Sequence, residues 1–185
     1  MFKFCPSCSS EKITFKEGKL FRCPDCDFVY YHNIAAANGC LVIVPEDDST
    51  ERILFLLRKR EPSKGKLDLP GGFVDIGEGV FEGLYREMRE ELGWTPPVPQ
   101  GASLSDVFNL FASFPNVYKY KNIDYNTCDM YFTIRAPGLK IEDLHLEEDE
   151  VTGALLLKPE EIDLEKLAFS STRKAVETYL NKKQK

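Results

Sequence analysis

No stretch of this chain approaches the roughly 18 uninterrupted apolar residues of a membrane-spanning helix. Yet 43% of its 185 residues are hydrophobic, enough for a real core. A helical membrane protein is therefore excluded, and no membrane partner is expected. The opening Met-Phe-Lys-Phe-Cys-Pro lacks the apolar run of a secretory signal, so the expected location is cytoplasmic. The formal net charge is −6, and strong basic patches are missing too, which makes nucleic acid an unexpected partner. Histidine is scarce, with two residues. His32 follows Phe28-Val29-Tyr30-Tyr31 and reads as a structural hydrogen-bonding group. His145 lies in a polar loop before an acidic run, from which it could approach a site. There is no internal repeat beyond two short cysteine motifs, and the length bounds one ordinary domain plus a small appendage.

The cysteines are organised. Cys5-Pro6-Ser7-Cys8 and Cys23-Pro24-Asp25-Cys26 are two C-x2-C knuckles separated by 14 residues, and Lys16-Glu17-Gly18-Lys19 between them reads as a hairpin turn. Two knuckles joined by a hairpin give four thiolates the geometry for tetrahedral Zn2+. The segment resembles a zinc ribbon. A closed four-sulfur site keeps no open position, so the ion would be structural, supplying folding energy that so small a segment cannot draw from burial. Lys12, Lys16, Lys19 and Arg22 give this segment a mild basic character, read as a solvated face. Cys40 and Cys128 fall in apolar or strand-like runs and read as small buried hydrophobes.

The most informative stretch is residues 72 to 94. Five acidic residues fall within 14 positions, Glu78 to Glu91. Like charges three or four apart on a helix cost roughly 0.2–0.5 kcal/mol per pair. A hard divalent cation is the natural group to offset that repulsion. Leu84, Met88 and Leu92, joined by Phe81 and Tyr85, form the apolar face of an amphipathic helix. Glu87 and Glu91 lie along one edge of that face, with Glu90 beside them. Gly83 sits one turn before Glu87. A mid-helix glycine costs roughly 1 kcal/mol against alanine, so a ligand or another backbone should pack close there. Arg86 can pair with Glu82 or Glu90. Gly93 supplies the helix stop, and Pro96-Pro97 prevent continuation. The preceding loop, Leu69-Pro70-Gly71-Gly72-Phe73-Val74-Asp75-Ile76-Gly77-Glu78, brings bare backbone to the helix N-terminus, where amides and carbonyls could meet an anion or a metal. The plainer reading, a solvated acidic face laced by Arg86 and Arg89, leaves Gly83 and this loop unexplained.

Gly72-x5-Glu78-x7-Arg86-Glu87-Met88-x-Glu90-Glu91-x-Gly93-Trp94 matches every position of the Nudix box. By average composition, such a match arises by chance on the order of once per million sequences. The chain resembles the Nudix hydrolases over about residues 34 to 182. The resemblance implies a Nudix-type α/β/α sandwich with a mixed sheet at 34–185, after a zinc ribbon at 1–33. It implies cleavage of nucleoside diphosphates linked to another moiety, using Mg2+ or Mn2+. By the same resemblance Glu87 and Glu91 are direct metal ligands, and Glu90 is a further ligand or a partner of bound water. Arg86 orients the carboxylates, Glu78 holds a metal-bound water or braces the loop, and the Gly71 or Gly72 carbonyl completes the shell. A homodimer is implied in the same way. Clustered carboxylates cannot bind a pyrophosphate directly, but the cations they hold can, so the acidic site does not argue against an anionic substrate.

Elsewhere, 34 to 44 and 52 to 60 read as strands around a turn at Glu46-Asp-Asp-Ser-Thr50. Strands are also expected at 103 to 113, 127 to 135 and 151 to 157. Pro159 starts a short helix, and Ser170 or Ser171 caps a last one with Ala175, Val176, Tyr179 and Leu180 inward. The tail from Asn181 to Lys185 is expected to fray. In the run Glu147-Glu148-Asp149-Glu150, a solvated loop is one reading. By family resemblance Glu150 is a further metal ligand, and the other acids could supply a general base. The aromatic-rich stretch from Phe108 to Phe132 should send about half its rings into the core. Tyr118 and Tyr120, sharing a strand face, are the expected substrate contacts, able to stack a base near Lys119 and Lys121.

A four-cysteine ribbon before the box resembles the NADH pyrophosphatase group, but that group's Ser-Gln-Pro-Trp-Pro-Phe-Pro signature is missing, its nearest text being Phe111-Ala-Ser-Phe-Pro-Asn116. The expected enzyme is a pyrophosphatase acting on ADP-ribose, NADH or a related dinucleotide. Two alternatives remain: a nucleotide-sensing module whose ribbon contacts nucleic acid, and an enzyme that removes NAD caps from RNA ends.

Overall fold

The computed structural model describes residues 2–46 and 50–183. The chain divides into two compact units, residues 1–34 and 35–185. The first is a three-stranded antiparallel sheet of β1 (Thr14–Lys16), β2 (Leu20–Arg22) and β3 (Val29–Tyr31). The β1–β2 turn places Glu17 and Gly18 at positive φ. Among its described residues, the buried hydrophobic one apart from cysteines is Phe21, stacked on Phe15 at 4.3 Å and tilted against Phe2 at 4.7 Å. One buried ring is far less apolar burial than an independent fold needs.

The second unit is built on a mixed sheet. Its strands are β4 (Ala35–Pro45), β5 (Glu51–Arg58), β6 (Leu67–Asp68), β7 (Asn109–Tyr120), β8 (Ile123–Arg135) and β9 (Val151–Leu157). The order is β6-β5-β4-β8-β7, with β9 also on β5. β4 and β8 are parallel, and the other pairs are antiparallel. Side chains alternate between two covered faces. Cys40, Val42, Leu54, Leu56, Phe132 and Ile134 pack with Leu84, Met88 and Leu92 of helix α1 (Val80–Leu92). Leu41, Ile43, Ile53, Phe55 and Tyr131 pack with Ala175 and Val176 of helix α3 (Ser170–Lys183). Both faces are thus buried, which explains the near-continuous apolar run in β4. A short helix α2 (Leu104–Val107) precedes β7.

Backbone amides take three of the last four carbonyls of α1. Gly93 adopts φ 59 and donates to the Arg89 carbonyl. The His145 amide reaches the Leu92 carbonyl at 2.8 Å and the Glu147 amide reaches that of Glu91 at 3.1 Å.

Several expectations need correction. The strand expected at 103 to 113 begins at Asn109 and runs to Tyr120. The Ser103 amide and hydroxyl both donate to the Asp106 carboxylate, a local cap that turns 104–107 into helix instead. β8 starts earlier than expected, at Ile123, because Lys121 and Asn122 take positive φ and close a tight hairpin. α3 begins at Ser170, so Ser170 and Ser171 lie inside it rather than before it, and the buried Ser171 hydroxyl donates to Asp129 at 2.6 Å. The tail is helical through Lys183, and residues 184–185 lie outside the described residues. So do 47–49 of the expected turn. Cys40 is fully buried, its thiol pushed up by burial, whereas Cys128 is only half-buried.

Candidate active site

The glycine loop is fastened to β4 by backbone. The amides of Asn38 and Cys40 donate to the carbonyls of Gly72 (2.8 Å) and Pro70 (2.9 Å), and Val74 donates to Ala36 (3.0 Å). Gly71 has φ 142, and a Cβ there would run into the backbone of Asn38 and Gly39. Only glycine permits this approach. The Gly71 amide then donates to Glu91 Oε2 at 2.9 Å, and the Gly72 amide to Asn38 Oδ1 at 3.2 Å.

Within the chain, the crowding at Gly83 comes from side chains rather than from another backbone. A Cβ there would lie 2.7 Å from Glu78 Oε1 and 3.3 Å from Asn38 Nδ2.

Arg86 is the hub. Its Nε and Nη2 donate to Glu78 at 3.1 and 2.8 Å, Nη1 to Glu87 and Glu90 at 2.9 Å each, and Nη2 to the Phe73 carbonyl at 3.0 Å. A planar guanidinium with five N–H donors suits this convergence, and a lysine could not reproduce it. Glu78 is held below the ordinary carboxylate range by Arg86 and by the Asp75 amide. Arg86 is pushed up, first by Glu78 and then by Glu87 and Glu90. The helix carboxylates differ in exposure, 15% for Glu87 against 51% for Glu90. Burial raises Glu87 against the pull of Arg86, and Glu90 and Glu150 add repulsion. Glu91 is raised well above its ordinary value, first by burial and further by Glu87, Asp68 and Glu150, against the Gly71 amide.

Glu87, Glu91, Gly71, Gly72, Glu150 and Tyr118 line one cavity of about 310 Å3. Glu150 accepts from Arg60 Nη1 at 2.8 Å. Tyr118 and Tyr120 also line an aromatic slot of about 420 Å3 with Phe73, Tyr125 and Ala35. Phe73 and Tyr118 meet edge to face at 5.4 Å. Glu78 and Glu90 line neither space but connect to the cavity through Arg86. His145 is exposed and lies against Gly93, away from the cavity lining.

Sequence reasoning missed several lining residues: Asn38, Asp68, Phe73, Thr127, Asp129 and Phe169. A signal existed for three. Asn38, Thr127 and Asp129 are polar residues at buried positions of strands that otherwise read as core.

Two sets of residues suit metal ions. Cys5 and Cys26 sulfurs lie 3.7 Å apart, as do Cys8 and Cys23. A tetrahedron with Zn–S of about 2.3 Å has edges of about 3.8 Å, so the four thiols fit zinc and are too far apart for disulfides. Among the described residues, these four are the one group whose ligand atoms all lie within 4.8 Å of one another. The carboxylates of Glu87 and Glu91 are instead splayed onto Arg86 and Gly71, with Glu150 on Arg60. Their all-oxygen donors and mutual repulsion fit a hard divalent cation, whose charge would relieve that repulsion.

Residues 36–179 match the family model described as NUDIX domain. An ADP-ribose pyrophosphatase of Methanocaldococcus jannaschii is 43% identical over 70 residues, covering 38% of each chain. An NAD-capped RNA hydrolase NudC of Stutzerimonas stutzeri is 30% identical over 98 residues, 53% of this chain and 33% of that one. The alignments therefore span about a third of each relative's own length, 38% and 33%. The crystal structure of a NUDIX hydrolase from Nitrosomonas europaea superposes with a TM-score of 0.63 and 24% identity, covering 99% of this chain and 93% of that one, which establishes the shared fold. No helix among the described residues is long and apolar enough to cross a membrane. With the box residues gathered on one helix and loop, and the family model spanning most of the length, this chain belongs to the NUDIX family.

Proposed function

We propose that the chain hydrolyses a phosphoanhydride bond in a nucleoside diphosphate linked to another moiety, with ADP-ribose, NADH or a related dinucleotide as substrate. One water is consumed, one P–O bond forms as another breaks, and two monophosphates leave. The carrying observation is the convergence of Glu87, Glu91 and Glu150 on one cavity that adjoins an aromatic slot. Mg2+ or Mn2+ held by these carboxylates would neutralise the phosphates and lower the pKa of a bound water.

The chain's own residues have separable tasks. Arg86 fixes Glu87 and Glu90 in orientation, and Glu78 braces Arg86 against the loop. Gly71 keeps its amide on Glu91 and offers its carbonyl as a further oxygen. Glu150 lines the cavity as a metal ligand, and another acid of the 147–150 loop takes the water's proton. Tyr118 and Tyr120 stack the base. The first 33 residues form a ribbon with a structural zinc ion. The names of the two curated relatives support a nucleotide carrying a diphosphate bridge. The similarity to NudC favours a second reading, removal of NAD caps from RNA ends.

A Mg2+- or Mn2+-dependent hydrolysis panel tests the proposal, with ADP-ribose, NADH, NAD+, FAD, diadenosine polyphosphates, UDP-glucose and NAD-capped RNA, products being followed by chromatography. Turnover of a free dinucleotide or nucleotide sugar far above the rest is expected. Preference for capped RNA would favour the second reading, and no turnover with either ion would overturn both.

A further inference from the structure

The cavity floor carries polar groups that neither the fold nor the carboxylate cluster uses. Thr127, Asp129 and Tyr131 alternate along β8, and all three line the cavity. Their β4 neighbours in register are Ala35, Ala37 and Gly39. These small residues leave space above the strand. Tyr131 fills its share, standing so close over Gly39 that a Cβ there would lie 3.0 Å from the ring. The space above Thr127 and Asp129 is not filled in this way.

The polar network around them closes almost completely. Arg58 pairs with Asp68 at 2.9 Å, Thr172 donates to Asp68 at 3.2 Å, and Tyr131 meets Thr172 at 3.2 Å. Ser171 donates to Asp129 Oδ2. Among the described residues of the cavity lining three buried atoms are left over, Asn38 Nδ2 on the side of Gly83 and two on this floor. Asp129 Oδ1 and Thr127 Oγ1 have no hydrogen-bond partner, although their residues are only 8% and 3% exposed. A buried carboxylate oxygen without a donor is among the costlier features a fold can carry, so a donor should meet it. A carboxylate accepts only, whereas a hydroxyl both accepts and donates. Together they suit a ligand's hydroxyl groups.

The position of the floor says which hydroxyls. Toward Tyr131 the floor reaches Gly39 and the Gly71 backbone packed on it, whose amide holds Glu91, where the diphosphate belongs under the function proposed above. Toward Thr127 it approaches Tyr125 and Tyr118, paired across β7 and β8 and lining the aromatic slot, which suits a flat base. In a nucleotide, the group between base and phosphate is the ribose. We propose that Asp129 and Thr127 read the ribose hydroxyls of the nucleoside half of the substrate, making them specificity-determining residues of this site. Ser171 is a positioning residue that holds the second Asp129 oxygen and so aims the first.

This inference rests on the proposed nucleotide chemistry, so the test separates the two. Calorimetric titration of the intact chain in Mg2+ compares AMP, 2′-deoxy-AMP, 3′-deoxy-AMP and IMP, none of which contains a cleavable anhydride. AMP release from ADP-ribose is followed in parallel. The wild type is expected to prefer AMP over at least one deoxy analogue by about 10–100-fold, the range lost when a built polar partner goes unpaired. It should bind IMP about as well as AMP. Asp129→Asn turns the acceptor into an amide while keeping an oxygen for Ser171, and should erase the ribose preference. Thr127→Val, nearly isosteric, should narrow it even if Asp129→Asn fails to fold. Equal binding of ribo and deoxy nucleotides by the wild type would overturn the inference, as would a preference that survives both substitutions. If Asp129→Asn instead removes a preference for AMP over IMP, the group read is the base amine and the ribose assignment is wrong. Normal ADP-ribose cleavage without ribose discrimination leaves the function standing and removes this inference. Ribose discrimination without any cleavage does the reverse.

Discussion

Replacing Gly83 by alanine sets two effects of similar size against each other. Gly83 sits inside α1, where alanine should gain about 1 kcal/mol of helix propensity. The new methyl would lie 2.7 Å from Glu78 Oε1. A flexible carboxylate end would normally swing aside at little cost. This one is pinned, because Oε1 accepts from the Asp75 amide and from Arg86 Nη2, each at 2.8 Å. Its side chain is 16% exposed, so water replaces lost partners poorly. Hydrogen bonds to charged groups are worth roughly 1.5–3 kcal/mol each and do not simply add. Moving Oε1 while Oε2 keeps Arg86 Nε should then cost about 2–3 kcal/mol. The net effect is destabilisation by about 1–2 kcal/mol, or a melting point lower by about 2–8 °C at this chain length. Urea and thermal unfolding of zinc-loaded protein measure it. In a Glu78→Ala background the same change should stabilise, by about 0.5–1 kcal/mol, because the nearer obstruction is gone and only Asn38 Nδ2, at 3.3 Å, remains. A raised melting point for Gly83→Ala alone would refute the reasoning and return Gly83 to an ordinary helix position.

Glu91→Gln removes a charged hard ligand but keeps the shape. Turnover should fall by more than the roughly 10–100-fold that supporting residues cost around a metal, while metal-free melting holds or rises because a destabilised charge is gone. Retained turnover would sink the ligand assignment. The raised value of Glu91 also sets a pH dependence. The folded chain keeps this proton above the ordinary 4.5, where the unfolded chain has released it, so this contribution to stability is full below 4.5 and is lost as pH rises through the raised folded value. Cation binding needs the carboxylate, so the Mg2+ concentration for half-maximal activity should fall as pH rises through the raised folded value of Glu91. A flat or rising Mg2+ requirement contradicts this. Cys23→Ser should lower zinc content from one ion per chain and open residues 1–34 to protease, since one buried ring cannot hold that unit alone; wild-type protein without bound zinc, by elemental analysis, would count against the ribbon.

Much of the site was legible because it is local. Leu84, Met88 and Leu92 recur every fourth residue and all are fully buried. That spacing alone places Glu87 and Glu91 at the edge of the buried face and leaves Glu90 outside. The cysteine knuckles were legible for the same reason, since each pair sits in one tight turn. Local signals misled where a short-range hydrogen bond outweighed the pattern. The alternation at 103 to 113 suggests a strand, but the Asp106 carboxylate captures Ser103 and winds one turn of helix. The crowding at Gly83 could be inferred, but not that Glu78 and Asn38 cause it.

What the sequence determined by itself was the family, the acidic helix with its arginine, and the four-sulfur set, because each is written in spacings shorter than about 20 residues that a single turn or helix converts directly into geometry. Tertiary structure alone decided the cavity. Asp129 meets Ser171 across 42 positions and Lys59 meets the Glu148 carbonyl across 89. The parallel pairing of β4 with β8 brings Ala37 beside Asp129. Such contacts depend on which strands become neighbours, and that is set by covering both faces of one sheet at once rather than by any local preference.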